Sequence, residues 1–524
     1  MVLNRIKLFF STLALLLATA NIALAQQKVT KVELLRAKTI KSNSNIANGA
    51  RRLIGNVAFR QETAIMECDS AYFYADRNAF DAFGHVHLYK ENDNNVEVKA
   101  DYLHHDGNKK IAQFRNHVVL RDSQIVMTTD SLDYDTFNDI GYYDHSATIV
   151  DSATTLKSIK GYYYNKRNEV YFWNKVEIDH NLGEYQMFTD TLLYNTESKI
   201  ATFFGPTHFY NDTNYMYARY GWYNTDNETA MFKHDALFRN PHQTVTCDSM
   251  GFNRTDESGR AMSNVVAVDS SQNVKITGHY VEMHKEPELL IVTDSALVIY
   301  IMEGDSLFIH ADTLQMEKDT NDIRSVRAFN HVRAFKSDLQ FQTDSIFFSL
   351  RDSIAQFHGS PIFWLQGNQV TAAYIEAYIK NNELEYFKLF RMGFMVSPQD
   401  ETHYNQIKGR EMTGYMRNNA LYKLEVHEDS RTLYFPTDQG EIVGMNKGES
   451  SSMTINLRNN KISRITYKSD PVSNTYPLTK VKENEMKLQG FRWLDEHRPK
   501  KPTDVFVWPN IEPMPTSNRR NSNN

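Results

Sequence analysis

The sequence predicts an all-β fold, an elongated repeat β-jellyroll or β-clasp of mostly antiparallel, bent strands with repeats of about 30 residues. Three observations carry this. Apolar residues recur on every second position, the strand period. Two short phrases recur in phase over most of the chain. Aromatic residues reach 12%, with 30 Phe and 29 Tyr against 13 Pro, a balance that favours strands.

The first phrase is Asp-x-Leu-x-Tyr, as in Asp190, Leu192 and Tyr194. It recurs at Asp69, Asp101, Asp130, Lys160, Asp190, Arg219, Asp248, Gly278, Asp312 and Asp344, at steps of 29–34 residues. The second is Phe-x-Gly-x-Val/Thr-x-apolar, as in Phe203, Gly205, Thr207 and Phe209. Its centre recurs at Gly55, Gly84, Asn116, His145, Asn174, Gly205, His234, Asn264, Asp294, Asn330 and Gly359, at steps of 29–36. Asp294 fits least well, because Thr293-Asp-Ser-Ala-Leu also reads as a first phrase. Two ladders in register imply a stacked array in which neighbours bury each repeat's apolar face.

Residues 1–25 read as a cleavable export signal: Arg5 and Lys7, an apolar run from Leu8 to Ala20, then Ala23-Leu-Ala25 before Gln26. The expected location is therefore the periplasm. Val29 to Ala37 is expected as a first strand. Residues 26–365 form the array, opening at Arg52-Leu-Ile-Gly-Asn-Val-Ala-Phe59. Each strand bends near its middle: Gly or Asn in the second phrase suits unusual backbone angles, and Asp-Ser in the first offers local hydrogen bonding. Short polar turns favour antiparallel hairpins over a parallel β-helix. Residues 366–475 read as a divergent β-hairpin continuation with Asn-Asn turns at Asn381-Asn382, Asn418-Asn419 and Asn459-Asn460. Residues 476–524 read as a short helical segment around Leu488–His497, then a Pro-rich polar tail.

Chemistry is sparse. There is no Gly-rich phosphate loop, His-Glu-x-x-His, Cys-x-x-Cys or Gly-x-Ser-x-Gly. A net charge of −6 disfavours nucleic acid. The Asp column holds Asp at seven of its ten positions but admits Lys160 and Arg219, so corner hydrogen bonding is preferred to calcium or acid catalysis. His85, His87, His104, His105 and His358 are expected to be structural or solvent-facing. Cys68 and Cys247 occupy equivalent repeat positions roughly 29 Å apart at ~4.8 Å per strand, too far for a disulfide, so both are expected free. No metal, cofactor or catalytic residue is expected.

The pieces Arg52-Leu-Ile-Gly-Asn-Val-Ala-Phe, Val98-Lys-Ala-Asp-Tyr-Leu and Thr129-Asp-Ser-Leu-Asp-Tyr resemble the repeats of the OstA family. The resemblance covers residues 30–365 clearly and 366–475 weakly. It implies a β-jellyroll whose greasy interior carries lipid A acyl chains between membranes. The implied partners are lipopolysaccharide, or a lipid A-like lipid, and the inner- and outer-membrane lipopolysaccharide-transport proteins; an end-to-end homo-oligomer is compatible. Two departures stand out: the array is longer than that of the periplasmic members, and no membrane-barrel strands follow it.

The expected function is thus a non-enzymatic periplasmic lipid-binding bridge or chaperone moving lipopolysaccharide towards the outer membrane. Its alternatives are a β-solenoid scaffold with a sealed core and, less favoured, a carbohydrate-binding or carbohydrate-active β-solenoid. Alternation places Val57, Phe59, Val86, Leu88, Val118, Leu120, Leu132, Tyr134, Val176, Ile178, Leu192 and Tyr194 on one face, expected to line the groove.

Overall fold

The computed structural model describes residues 30–42, 49–90, 93–123, 125–180, 183–321, 323–380 and 383–509. The export signal, Val29 and the Asn381-Asn382 turn lie outside them. The protein divides into two compact units, Met1–Glu184 with Thr191–Glu197, and Tyr185–Asp190 with Ser198–Asn524. Both are built from antiparallel strands, and the described residues contain short 3-10 turns but no α-helix.

The two sequence phrases are two kinds of bend. In unit one, strand Arg51–Gln61 pairs with Ala64–Tyr74, and the register jumps from Ile54↔Ser70 to Val57↔Cys68. Gly55 and Asn56 therefore oppose Asp69 alone, and both have positive φ, 83° and 49°. On the other side of Asp69 the next strand, Ala79–Lys90, jumps between Phe83↔Ser70 and Glu67↔His87. There Gly84 and His85 have φ of 75° and 43°. Two left-handed residues opposite one is a β-bulge, and a bulge bends its strand. Repeated on every second strand, the bulges fold the sheet along one crease.

The crease divides each strand into a Tyr arm, carrying the Leu and Tyr of the first phrase, and a Val arm, carrying the Val or Thr of the second. The arms face each other. Phe59 of the Val arm stacks on Phe80 of the Tyr arm, centroids 4.0 Å apart. In unit two Phe209 meets Phe232 edge-on at 5.1 Å, and Phe363 meets Phe357 at 4.8 Å.

Side chains lock the crease. Asp69 accepts from His85 Nδ1 at 2.7 Å, Asp101 from His117 at 2.7 Å and Asp312 from His331 at 2.8 Å. Asn264 donates to Asp248 at 3.0 Å. Asp294 lies in the ladder after all, with φ of 56° followed by 64° at Ser295. At two positions of the first ladder, and at Ser263-Asn264 in the second, the corner sits one residue from the expected position. Pairing flanks Ile159 rather than Lys160, and His279 rather than Gly278, because the apolar alternation alone does not mark which residue is left out of the pairing.

Residues 366–475 keep the same geometry. Arg391 and Met392 form one double bend and Glu428 and Asp429 another, while Asn418-Asn419 and Asn459-Asn460 adopt the left-handed conformation of tight hairpins. The first strand is two short ones, Glu33–Arg36 and Thr39–Ser42, pairing with the two arms of Arg51–Gln61.

The end of the chain is not a free tail within the described residues. Short 3-10 turns at Leu478–Lys480, Glu483–Met486, Asp495–His497 and Pro502–Phe506 punctuate a strap that crosses the outer face of unit two's Val arm. Gln406 bonds Met486 O and Leu488 N, and Gln369 bonds Arg492 O and Leu494 N, all within 2.7–2.8 Å. Leu494 packs with Ile362 and Trp364. The strap explains why Ile362-Phe-Trp-Leu365 is apolar without alternation: core lies on one side of it and strap on the other.

The crease gives a quantitative test. At Gly359 (φ 82°) an added Cβ falls 2.2 Å from Asp344 Cβ, whereas at Gly205 (φ 91°) the nearest contact is 3.7 Å, from Asp190. Gly205→Ala is expected to lose about 1 kcal/mol from backbone strain alone and Gly359→Ala about 3 kcal/mol or more, by denaturant titration.

Candidate functional site: the apolar interior

The interior between the arms is the extended apolar feature of both units, and it differs along the chain. In unit one it is closed. Val57, Phe59, Val86, Leu88, Val118, Leu120, Leu132, Tyr134, Val176 and Leu192 are at most 2% exposed. Ile178 and Tyr194 are half-buried. All twelve belong to unit one, and alternation brings them to the interior, where they pack against one another. A void between Leu120, Met127, Tyr143 and Val170 amounts to about 10 Å³, room for at most one water.

Polar bridges close the seam where the tips of the two arms meet. Lys110 of the Tyr arm reaches Glu62 of the Val arm at 2.5 Å, and this hydrogen bond holds the Glu62 carboxyl below its ordinary range. Lys90 reaches Asp139 at 2.6 Å, and the Tyr134 hydroxyl donates to the same carboxylate at 2.6 Å. Tyr163 donates to Asp122 at 2.9 Å. Gln61 donates to Gly107 O at 2.7 Å, and its Oε1 lies 2.8 Å from His105 Nε2.

His105 takes the structural role of the two that were expected, but on a strand and not in a turn. It is fully buried on strand Asp93–Asp106, its ring 5.2 Å from Phe80. The signal was present, since in Asp101-x-Leu103-x-His105 the imidazole takes the place of the Tyr in the first phrase. Burial pulls its pKa down to about 4. His85, by contrast, is exposed at the crease as expected, and its bond to Asp69 raises its pKa.

In unit two the interior opens. The ladder puts Met283 opposite Gly259 and Leu290, and Tyr300 opposite Val274 and Leu307, on the inner face. Yet Met283 is 53% exposed, Tyr300 41% and Met302 40%. Phe238, Val245, Phe252, Ile276, Leu290, Val298 and Met316 beside them are half-buried. From about Ile200 to Lys318 the base of the fold, near the crease, is packed by Phe203, Ala218, Ala236, Val265 and Ala296, while the tips leave an apolar trough. Further on the interior closes again around Phe341, Phe363, Val370, Met395 and Ile407. The sequence expectation placed the groove lining wholly in unit one. Nothing in the alternation distinguishes a packed inner face from an open one.

Both cysteines are free and buried; burial raises the Cys68 thiol to about 12 and the Cys247 thiol to about 11, far from nucleophilic use. Among the described residues no group of three His, Cys, Asp or Glu is placed to hold a metal ion.

The buried imidazole makes a pH prediction. His105 is neutral when folded and free to protonate when unfolded, so the unfolded state binds more protons between the unperturbed pKa of 6.5 and about 4. Stability of unit one should fall with acidification across that window, by about 3 kcal/mol at pH 4. His85 and His117, with raised pKa values, act in the opposite sense: their contribution is complete below 6.5 and lost as pH rises through the folded value. Both are exposed, so solvent screens them. Denaturant titrations of the parent and His105→Phe at pH 7, 5.5 and 4 should show that difference between them; parallel curves would refute it.

Comparison with known proteins bears on the first half of the chain. The family model described as OstA-like protein matches residues 29–187 and 180–248. No curated protein matches. Among solved structures, the chain is similar to LptH, the LptA-homologous periplasmic component of the lipopolysaccharide transport device from Pseudomonas aeruginosa. The likeness has 15% identity over 21% of this chain and 81% of that one, with a TM-score of 0.19, which carries no structural argument. Over residues 29–248, the chain is OstA-like.

Proposed function

We propose that this protein is a periplasmic bridge or chaperone for lipopolysaccharide or a related acylated lipid, holding acyl chains between its two arms and catalysing no covalent step. The observation that carries the reading is the half-exposed apolar trough of unit two. Met283, Tyr300 and Met302 face inwards in the ladder yet are 40–53% exposed, and Leu290 opposite Met283 is half-buried. Exposed apolar surface of this kind marks an interaction site. Each buried CH₂ of an acyl chain contributes about 0.8 kcal/mol, while a charged headgroup stays in water at the seam. The OstA-like region supports the same reading from sequence, and with it a periplasmic location and partners among lipopolysaccharide-transport components.

The twelve interior residues of unit one enter the proposal as a second acyl-binding interior, reached when the seam bridges at Glu62–Lys110 and Lys90–Asp139 part. Their packing by the protein's own side chains favours the second reading, a scaffold with a sealed core.

Photo-crosslinking in the presence of lipopolysaccharide separates the two. A crosslinking residue at Leu290 should capture lipid, and one at Ile291, which faces outwards, should not. Leu192 should capture more weakly than Leu290, and Leu193 not at all. Equal capture at Leu290 and Ile291, or none at Leu290 in a folded protein, would reject the lipid reading in favour of the scaffold.

A further inference from the structure

Among the described residues, the strap's contacts nearest the trough fall at its edge. They are Phe506 on His310 at 4.7 Å and Trp508 on His331 at 4.8 Å. His310 lies on strand Asp305–Lys318 and His331 on Arg324–Lys336. On the strands that the strap crosses beyond this point, inner side chains are closed in: Ala334, Phe341, Phe363, Val370, Met395 and Ile407 are at most 5% exposed. On the strands before it, which none of the described strap residues crosses, Met283 and Tyr300 are exposed. The coincidence has a mechanical reason. An arm of single-layer sheet contacts only its neighbours, whereas a segment laid across many strands ties them together from outside.

Part of the strap's hold on the sheet is polar. Gln406, Gln369 and Arg333 all bind its backbone, with Arg333 donating to His497 O at 2.5 Å and Asp504 O at 3.0 Å. Arg333 is 3% exposed, and burial pulls its pKa down to about 10 although carbonyls are its partners here. Arg333 Nε, Gln342 Oε1 and Trp364 Nε1 are buried on the same face without a hydrogen-bond partner. A docked segment that leaves polar atoms unsatisfied is held less tightly than its area suggests, and undocking returns those atoms to water. The face beneath is mixed: Gln340, Gln342, Gln369 and Gln406 are polar, while Ile362 and Trp364 pack against Leu494, and Leu433, Phe435 and Met445 against Leu478, Val481, Met486 and Leu488.

We infer that residues 478–508 are a reversible latch: docked, it holds the Val arm shut over the strands from Arg324 onwards and confines the apolar trough to the strands before them, and released, it lets the trough lengthen. This rests on the lipid reading for its purpose but not for its motion.

Two measurements on the full chain test it. In native-state hydrogen exchange the amides of Leu488 and Leu494, which donate to Gln406 and Gln369, should exchange together, at least tenfold faster than the ladder amides of strand Tyr404–Arg417. Exchange at the same rate as those ladder amides would overturn the latch. In a folded Gln369→Leu/Gln406→Leu variant, a photo-crosslinking residue at Val370 should capture lipopolysaccharide at least threefold more than with both glutamines present, while capture at Leu290 stays equal. Unchanged capture at Val370, with strap exchange accelerated, would overturn the link between latch and trough. Absence of capture at Leu290 throughout would reject the lipid reading alone, and exchange would still judge the latch. Should the double variant not fold, the exchange measurement on the parent decides.

Discussion

The structure depends on a backbone conformation that L-amino acids disfavour. At the crease two successive residues take positive φ opposite a single residue on the neighbouring strand, as Gly55 and Asn56 do opposite Asp69. Left-handed angles at non-glycine residues are unfavourable one at a time. They persist here because the flanking arms are paired on both sides and because an Asp, His or Asn side chain closes over the gap. Fold the sheet at that line and alternation does the rest: each strand's inward positions meet the inward positions of the other arm, and an apolar interior follows.

Because the crease repeats, each unit has an interior of several strands, and its local state depends on what happens at the tips of the arms. Where Lys110 meets Glu62 and Lys90 meets Asp139, the tips are pinned and the core is filled by Phe, Leu and Val. Where the strap crosses the outer face, the arm is held from behind. Between Ile200 and Lys318 the inward side chains towards the tips stand half-exposed. A lipid carrier needs such a difference: packed stretches hold the fold together, and an unfilled one leaves surface for a guest.

Much of the fold was legible in the sequence because its determinants are local. The strand period, the positions of Gly55, Gly84, Asn116 and Asp294, and the Asn-Asn hairpins each follow from a few adjacent residues. Which stretch of the interior stands open was not legible. Alternation gives Leu192 and Leu290 the same inward orientation, and only contacts between distant segments decide that one is buried and the other half-buried. The strap was invisible for the same reason: Gln369 and Leu494 are 125 residues apart, and a glutamine that reads backbone leaves no pattern in its partner's sequence. His105 could have been found, had the Tyr column been followed through the repeat that replaces Tyr by His.

The central claim is that the interior of unit two holds acyl chains. Native mass spectrometry of the full chain recovered from an exporting cell tests it most directly. The account predicts an adduct whose mass matches an acylated lipid, lost when Leu290 and Val298 are both replaced by Asp in a protein that remains folded. A homogeneous protein without adduct, which also acquires none on incubation with lipopolysaccharide, would contradict it.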